Sequence, residues 1–354
     1  MAAFSTVLFQ QVQKSVYTRF IDKIPQKWYD SIIKNYCGEK MEILYFFEGL
    51  RHPFFDKFFY LITALGAEVF FIALAITVYW CINKRFGYYL MTVCFFGAVI
   101  NQILKLICRV PRPWIIDPDF SIVEIARSGA PGYSFPSGHT QNAVNIAGCF
   151  AMSSKELAKT KKSRVALYIS CGLLALFVAI SRMYLGVHTS WDVLISALLA
   201  VFLVLLFYYV FRLVDKKPSA MYIIIAGMVA ISAVYLVISY MAQGFDAHEI
   251  ENVISSRRHA WYMMGGVCGI AVAYPIERRF VRFETKASLV CNIIKIVPGV
   301  AGVFGIKMLE EPLLSLFGGA GVAHGVRYFL IVVFAVCVWP ATFRFISKIG
   351  QKKS

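Results

Sequence analysis

The chain has 354 residues, 59% of them apolar, and carries a formal charge of +16. Its mean hydropathy of +0.65 is too high for an ordinary water-soluble domain. The cations sit in short connections between apolar runs, which argues against nucleic acid as their partner. Strand-period alternation is absent, which argues against a β-barrel.

In chain order, residues 1–57 come first and read as an interfacial amphipathic segment. Over 4–50, aromatics and aliphatics mix with Lys14, Arg19, Lys23, Lys27 and Lys34, without the continuous apolar core of a cleavable signal. Apolar runs of about 20 residues, each long enough to cross a bilayer, then recur to the C-terminus. They predict about nine spans, at 58–82, 86–108, 138–154, 164–185, 190–213, 220–242, 260–276, 288–307 and 322–347. The expected fold is therefore an all-α, polytopic transmembrane helical bundle. Its functional core is 58–213, followed by additional C-terminal transmembrane helices over 214–354.

If these spans alternate, the basic connections all fall on one side. They contain Lys84 and Arg85, then Lys155 to Arg164, then Arg212 to Lys217, then Arg278 to Lys286, and last Arg344 to Lys353. The positive-inside rule makes that side cytoplasmic, with the basic N-terminal segment a mild exception outside. Contact with anionic headgroups is a secondary reading of the same charges. The nine cysteines show no C-x-x-C pair and lie mostly in or beside the apolar runs, as small buried hydrophobes do.

Three separated polar clusters interrupt this apolar chain. The first runs from Lys105 to Arg112-Pro113, and the second is Pro136-Ser137-Gly138-His139. The third joins Ser181-Arg182 to His188 and Asp192. The span layout places all three on the membrane face opposite the basic connections. The long Pro- and Gly-rich segment 109–137 joins the first cluster to the second, and a loop of that length is commonly functional.

Each cluster has a chemistry. Ser137-Gly138-His139 opens a helix whose first turn offers unpaired N–H groups to an anion, or is a plain helix cap. His188 and Asp192, four apart at a helix start, lie on one face, where a carboxylate can fix the imidazole tautomer. Arg112 and Arg182 can each fork onto phosphate oxygens, and Lys105 adds a point charge; taken singly, all three read as span-end cations. Phosphoryl transfer needs positioning and cationic stabilisation more than covalent chemistry, so the set as a whole points to a phosphatase.

These positions resemble the three-part signature of the type 2 phosphatidic acid phosphatase superfamily, K-x6-R-P, P-S-G-H and S-R-x5-H-x3-D. All specified residues match over 105–192. The resemblance implies His188 as nucleophile, forming a phosphohistidine, with Asp192 orienting it and His139 as general acid. Lys105, Arg112, Arg182, Ser137 and Gly138 would bind the phosphoryl oxygens, with no metal or other cofactor. It also implies a multi-pass membrane protein acting on a lipid phosphate or diphosphate at its extracytoplasmic face, whether periplasm, cell exterior or lumen. Membrane lipids are then the expected partners; nucleic acid is not.

A glucose-6-phosphatase-like enzyme is the alternative, because nine spans with an outside N-terminus suit that branch. An anion or lipid transporter is the remote one, since it would need neither histidine. Outside the signature, Glu68 could line the same mouth, and Lys295 lies inside an apolar run, where ionisable residues are functional candidates. His248, His259 and His324 are expected in connections. The aromatics at 54–60 and 206–211 suit an interfacial belt or core.

Overall fold

The computed structural model describes residues 41–244, 247–317 and 319–347, so most of the expected interfacial segment 1–57 lies outside the described residues. Every regular element within them is helical. The principal helices are α1 (Pro53–Ala64), α2 (Glu68–Thr77), α3 (Lys84–Cys108), α4 (Gly138–Met152) and α5 (Lys161–Tyr184). They continue as α6 (Ser190–Lys216), α7 (Ala220–Met241), α8 (Ala247–Ile276), α9 (Leu289–Lys307) and α10 (Ala320–Val333).

Six helical segments among the described residues are long and apolar enough to cross a membrane, or up to seven if α1 and α2, bent by 47° at their junction, act as one span. Two of the nine expected runs are not among them. The run at 138–154 forms α4, which has 15 residues. A helix of that length reaches only about 22 Å, against a hydrocarbon core of ~30 Å. The run at 260–276 is the apolar half of the 30-residue α8, whose first half is polar. His259 and His324, expected in connections, lie on α8 and α10: α8 begins well before its apolar stretch, and His324 falls inside the expected run at 322–347.

The bundle has two chemically distinct ends. At one end Lys84 Nζ lies 2.6 Å from Glu277, and Arg85 bridges Asp215 at 2.5 Å and Glu156 at 3.5 Å. These pairs bring together the start of α3, the α4–α5 connection and the ends of α6 and α8. At the other end α3 stops at Arg109, which adopts a left-handed conformation (φ 47°) and donates to Gln243 O at 2.8 Å. Pro111 and Pro113 follow and prevent the helix from resuming at once.

The main apolar core joins α2, α3, α6 and α7 to the C-terminal helices. Trp80, fully buried, donates to Ala335 O at 2.8 Å and ties the end of α2 to the extension of α10. Helices α8 and α10 pack backbone against backbone, since a Cβ on Gly265 would meet Gly325 O at 1.9 Å. Only small residues permit that approach, which is how helices gain packing energy where lipid is as apolar as the side chains. Lys295 of α9 is buried but not isolated: it donates to Glu284 O at 3.1 Å and Thr285 O at 3.2 Å, and so stitches the α8–α9 connection.

Candidate active site

All three polar clusters meet at the end of the bundle away from the paired basic residues. Lys105 lies in the last turn of α3, Arg112 just beyond it, and Ser137 to His139 open α4. Arg182 lies in the last turn of α5 and His188 just precedes α6. Lys105, Arg112, Gly138, His139, Arg182 and His188 line one cavity.

The approach of Arg182 to His188 depends on Gly186. Its φ is 76°. That value lies in the left-handed region that favours glycine. Val187 N and His188 N can then both donate to Arg182 O, at 3.1 and 3.3 Å. The chain reverses tightly, and Arg182 and His188 enter the same cavity from successive helices.

Asp192 is fully buried, and three groups gather at its Oδ2. Its Oδ2 accepts from Ser134 Oγ at 2.6 Å and Thr189 N at 2.8 Å, and lies 3.3 Å from His188 Nδ1. Thr189 caps α6 in return, accepting from Asp192 N at 3.4 Å. Arg112 Nη1 lies 3.0 Å from His188 Nε2 and 3.4 Å from Nδ1, so the guanidinium sits against the imidazole beside both nitrogens. A carboxylate can only accept, so the proton shared with Asp192 is on Nδ1 and Nε2 keeps the lone pair. Burial, then the Arg112, Arg182 and Lys105 cations, hold the His188 imidazole well below the ordinary histidine range.

The three cations differ in how they are held. Arg112 donates Nε to Gly132 O at 3.0 Å, Nη2 to Pro131 O at 2.8 Å and Nη1 to Val187 O at 2.8 Å. Lys105 donates to Tyr133 O and, at 3.4 Å, to Ser134 O. Four successive carbonyls, 131 to 134, are therefore taken by the first cluster's two cations, which clamp the loop ahead of α4. Arg182 is free of that duty. Its Nη1 donates to Thr63 Oγ1 of α1 at 2.8 Å, while Nε and Nη2 have no partner among the described residues.

Ser137 is the N-cap of α4, accepting from Thr140 N at 3.5 Å, and its own N–H donates to Asp192 O at 3.2 Å. That cap ties α4 to α6 and leaves the first-turn N–H groups of Gly138 and His139 for an anion. Behind them, Asn101 Nδ2 donates to Gln141 Oε1 at 2.7 Å, giving α3 and α4 a polar seam.

Three buried cations beside one buried carboxylate leave two positive charges, the complement of a phosphate monoester dianion. Buried charge without compensation is costly, so the site is built for an anion. Two participants escaped the sequence reading: Thr63, which lies in an apolar run, and Ser134, which carries no motif position. Glu68, proposed as a mouth residue, does line the cavity. Residues 41–52 cover the loop side of the site: Arg51 Nη1 donates to Ser121 O at 2.9 Å, and Leu44 is buried against Phe120 and Ile122.

Residues 85–216 match the family model of the PAP2 superfamily. Residues 261–352 match that of the PAP2 superfamily phosphatase, transmembrane extension. The chain is 33% identical over 152 residues to phosphatidylglycerophosphatase B of Bacillus subtilis, covering 41% of this chain and 70% of that protein. It is 26% identical over 171 residues to human sphingosine-1-phosphate phosphatase 2, covering 48% of this chain and 41% of that protein. Among solved structures, a transmembrane PAP2 type phosphatidylglycerolphosphate phosphatase from Bacillus subtilis superposes with a TM-score of 0.41 at 25% identity. That superposition covers 58% of this chain and 95% of the other.

Proposed function

The chain belongs to the PAP2 superfamily and is a phosphatase acting on phosphate esters, and we propose that its substrate is a lipid phosphate or diphosphate. The observation that carries this reading is one cavity in which three cations and two histidines meet a largely apolar wall. The relatives it matches are named for phosphorylated lipids, which supports the same substrate class.

In the proposed reaction, Arg182 forks onto the phosphoryl oxygens through Nε and Nη2. Lys105, the remaining N–H groups of Arg112 and the first-turn N–H groups of α4 complete the cradle, with Ser137 holding that turn in place. His188 Nε2 attacks phosphorus as the ester P–O bond breaks, and Asp192 stabilises the charge that develops on the ring through Nδ1–H. His139 protonates the departing alcohol. It then takes a proton from water as that water attacks phosphorus and the P–N bond breaks, which regenerates neutral His188. No step calls for a metal.

The paired basic residues at the far end of the bundle support an extracytoplasmic site, because positive charge favours the cytoplasmic side. The test is inorganic phosphate release by detergent-purified protein in EDTA, offered phosphatidic acid, a polyprenyl diphosphate or glucose 6-phosphate. Release from a lipid, abolished in His188→Ala, is the expected result. Release from glucose 6-phosphate alone, or a metal requirement, would overturn the reading.

A further inference from the structure

The cavity does not end at the phosphate-binding residues. Lys105, in the last turn of α3, and Tyr88, near its start, both line it. At ~1.5 Å of rise per residue, the stretch of helix between them is about 25 Å long. The cavity's volume is 530 Å³. Ligand sites occupy roughly 300–1,000 Å³, so it falls within their range. Below the cations the wall turns apolar on every side: Ile76 from α2, Phe95 from α3, Met228 from α7, Val267 and Ile270 from α8, and Val332 from α10. An apolar space of this kind has no use for ordered water.

Between the cations and the apolar depth lies a polar collar on α8. Asn252 Nδ2 and His259 Nδ1 are buried, line the cavity and have no partner among the described residues. Buried polar atoms are nearly always satisfied, so two orphans on residues that line one cavity point to a ligand that brings a polar group to that depth. The Gly265–Gly325 contact closes α8 on α10 along this wall.

We infer that this chamber takes one hydrocarbon chain of the phosphorylated amphiphile, drawn out of the bilayer, with α8 and α10 as the wall that selects chain length. The inference rests on the lipid-phosphatase reading. A chain in one leaflet occupies about half of the ~30 Å hydrocarbon core, so a chamber of about 25 Å accepts it whole. Asn252 and His259 then face the oxygen or nitrogen atoms that join chain to phosphate. Bilayer tails are as apolar as the chamber wall, so moving a chain between them changes hydrophobic energy little. The chamber therefore discriminates by fit, not by added affinity.

The test is Gly266→Phe. Gly266 lines the chamber, and a Cβ there would meet only Val332 Cγ2 at 3.9 Å, an ordinary contact, so the ring projects into the space. Relative to wild type, kcat/KM for hexadecyl phosphate is expected to fall at least about tenfold and that for butyl phosphate by less than about twofold. Equal effects on the two substrates would overturn the chamber.

A second measurement does not depend on that variant folding. Wild-type protein is photolabelled with a hexadecyl phosphonate carrying a diazirine at the chain end. Adducts on Met228, Val267 or Ile270 support the inference. Adducts confined to outward-facing residues such as Leu198 and Phe202 of α6 refute it. Failure of the underlying reading looks different: wild-type protein would release phosphate from glucose 6-phosphate and from neither alkyl phosphate, which removes this inference as well.

Discussion

Arg182→Lys and Arg112→Lys keep the same charge in the same cavity, yet they are expected to fail in different ways. Arg182 spends one nitrogen on Thr63 and leaves Nε and Nη2 unengaged. Lysine at 182 replaces a two-pronged donor with a single ammonium, losing about one charge-assisted hydrogen bond to the transition state, ~1.5–3 kcal/mol. At about 1.4 kcal/mol per factor of ten, kcat/KM drops roughly 10- to 150-fold. A lysine ammonium can still donate to Thr63 Oγ1, so stability changes by no more than about 1 kcal/mol.

Arg112 holds three backbone carbonyls, at 2.8, 2.8 and 3.0 Å, and lysine can serve one of them well. Two buried acceptors lose their donor, at about 1–3 kcal/mol each, so Arg112→Lys lowers stability by ~2 kcal/mol or more as well as activity. Phosphate release at several substrate concentrations, alongside thermal unfolding followed by tryptophan fluorescence, separates the two cases. The reasoning is refuted if Arg182→Lys keeps wild-type kcat/KM. It is equally refuted if Arg112→Lys unfolds at the wild-type temperature.

Three further outcomes are expected. Ser134→Ala removes the 2.6 Å donor to Asp192 Oδ2. It should lower kcat about three- to tenfold with KM little changed, read from steady-state kinetics; a change confined to KM would place Ser134 at the substrate instead. If His188 is the nucleophile proposed above, the acid limb of kcat/KM, where its lone pair is protonated, should lie below the ordinary imidazole value of ~6.5. Lys105→Met removes one of the cations opposing that protonation, so a pH–rate profile should show the limb moving up; an unmoved or lowered limb would contradict the electrostatic account. In Gly186→Ala the left-handed backbone is strained and the new Cβ meets Arg51 Nη2 at 2.8 Å. Its melting temperature should fall by the equivalent of about 1 kcal/mol or more, the scale of backbone strain, and the rate should fall with it.

Much of the site was legible beforehand because its chemistry is local to short motifs. His188 and Asp192 sit one helical turn apart by spacing alone, and Ser137 reads as a cap from its place before an apolar helix. The Arg112 clamp was not legible. Sequence shows a cation near a span end, and a phosphate fork and a backbone clamp look identical there. Thr63 and Ser134 were invisible for a related reason: each matters through one contact, to Arg182 and Asp192, 119 and 58 residues away. Two of the nine expected runs do not form long apolar helices, because hydropathy registers an apolar stretch whatever the length of the helix around it: α4 is short and α8 is polar at one end.

By itself, the sequence determined that the chain is a helical membrane protein with two chemically distinct ends, and which polar residues gather at one of them. Long apolar runs can satisfy their backbone in lipid only as helices, and charge at their ends sets which ends group together. Tertiary structure alone decided which cation clamps the loop carbonyls and which keeps unpartnered nitrogens, which serine donates to the carboxylate, and that α8 and α10 line the cavity beneath the site. Those outcomes depend on hydrogen-bond geometry and on how closely one helix backbone approaches another. Neither leaves a periodic trace along the chain.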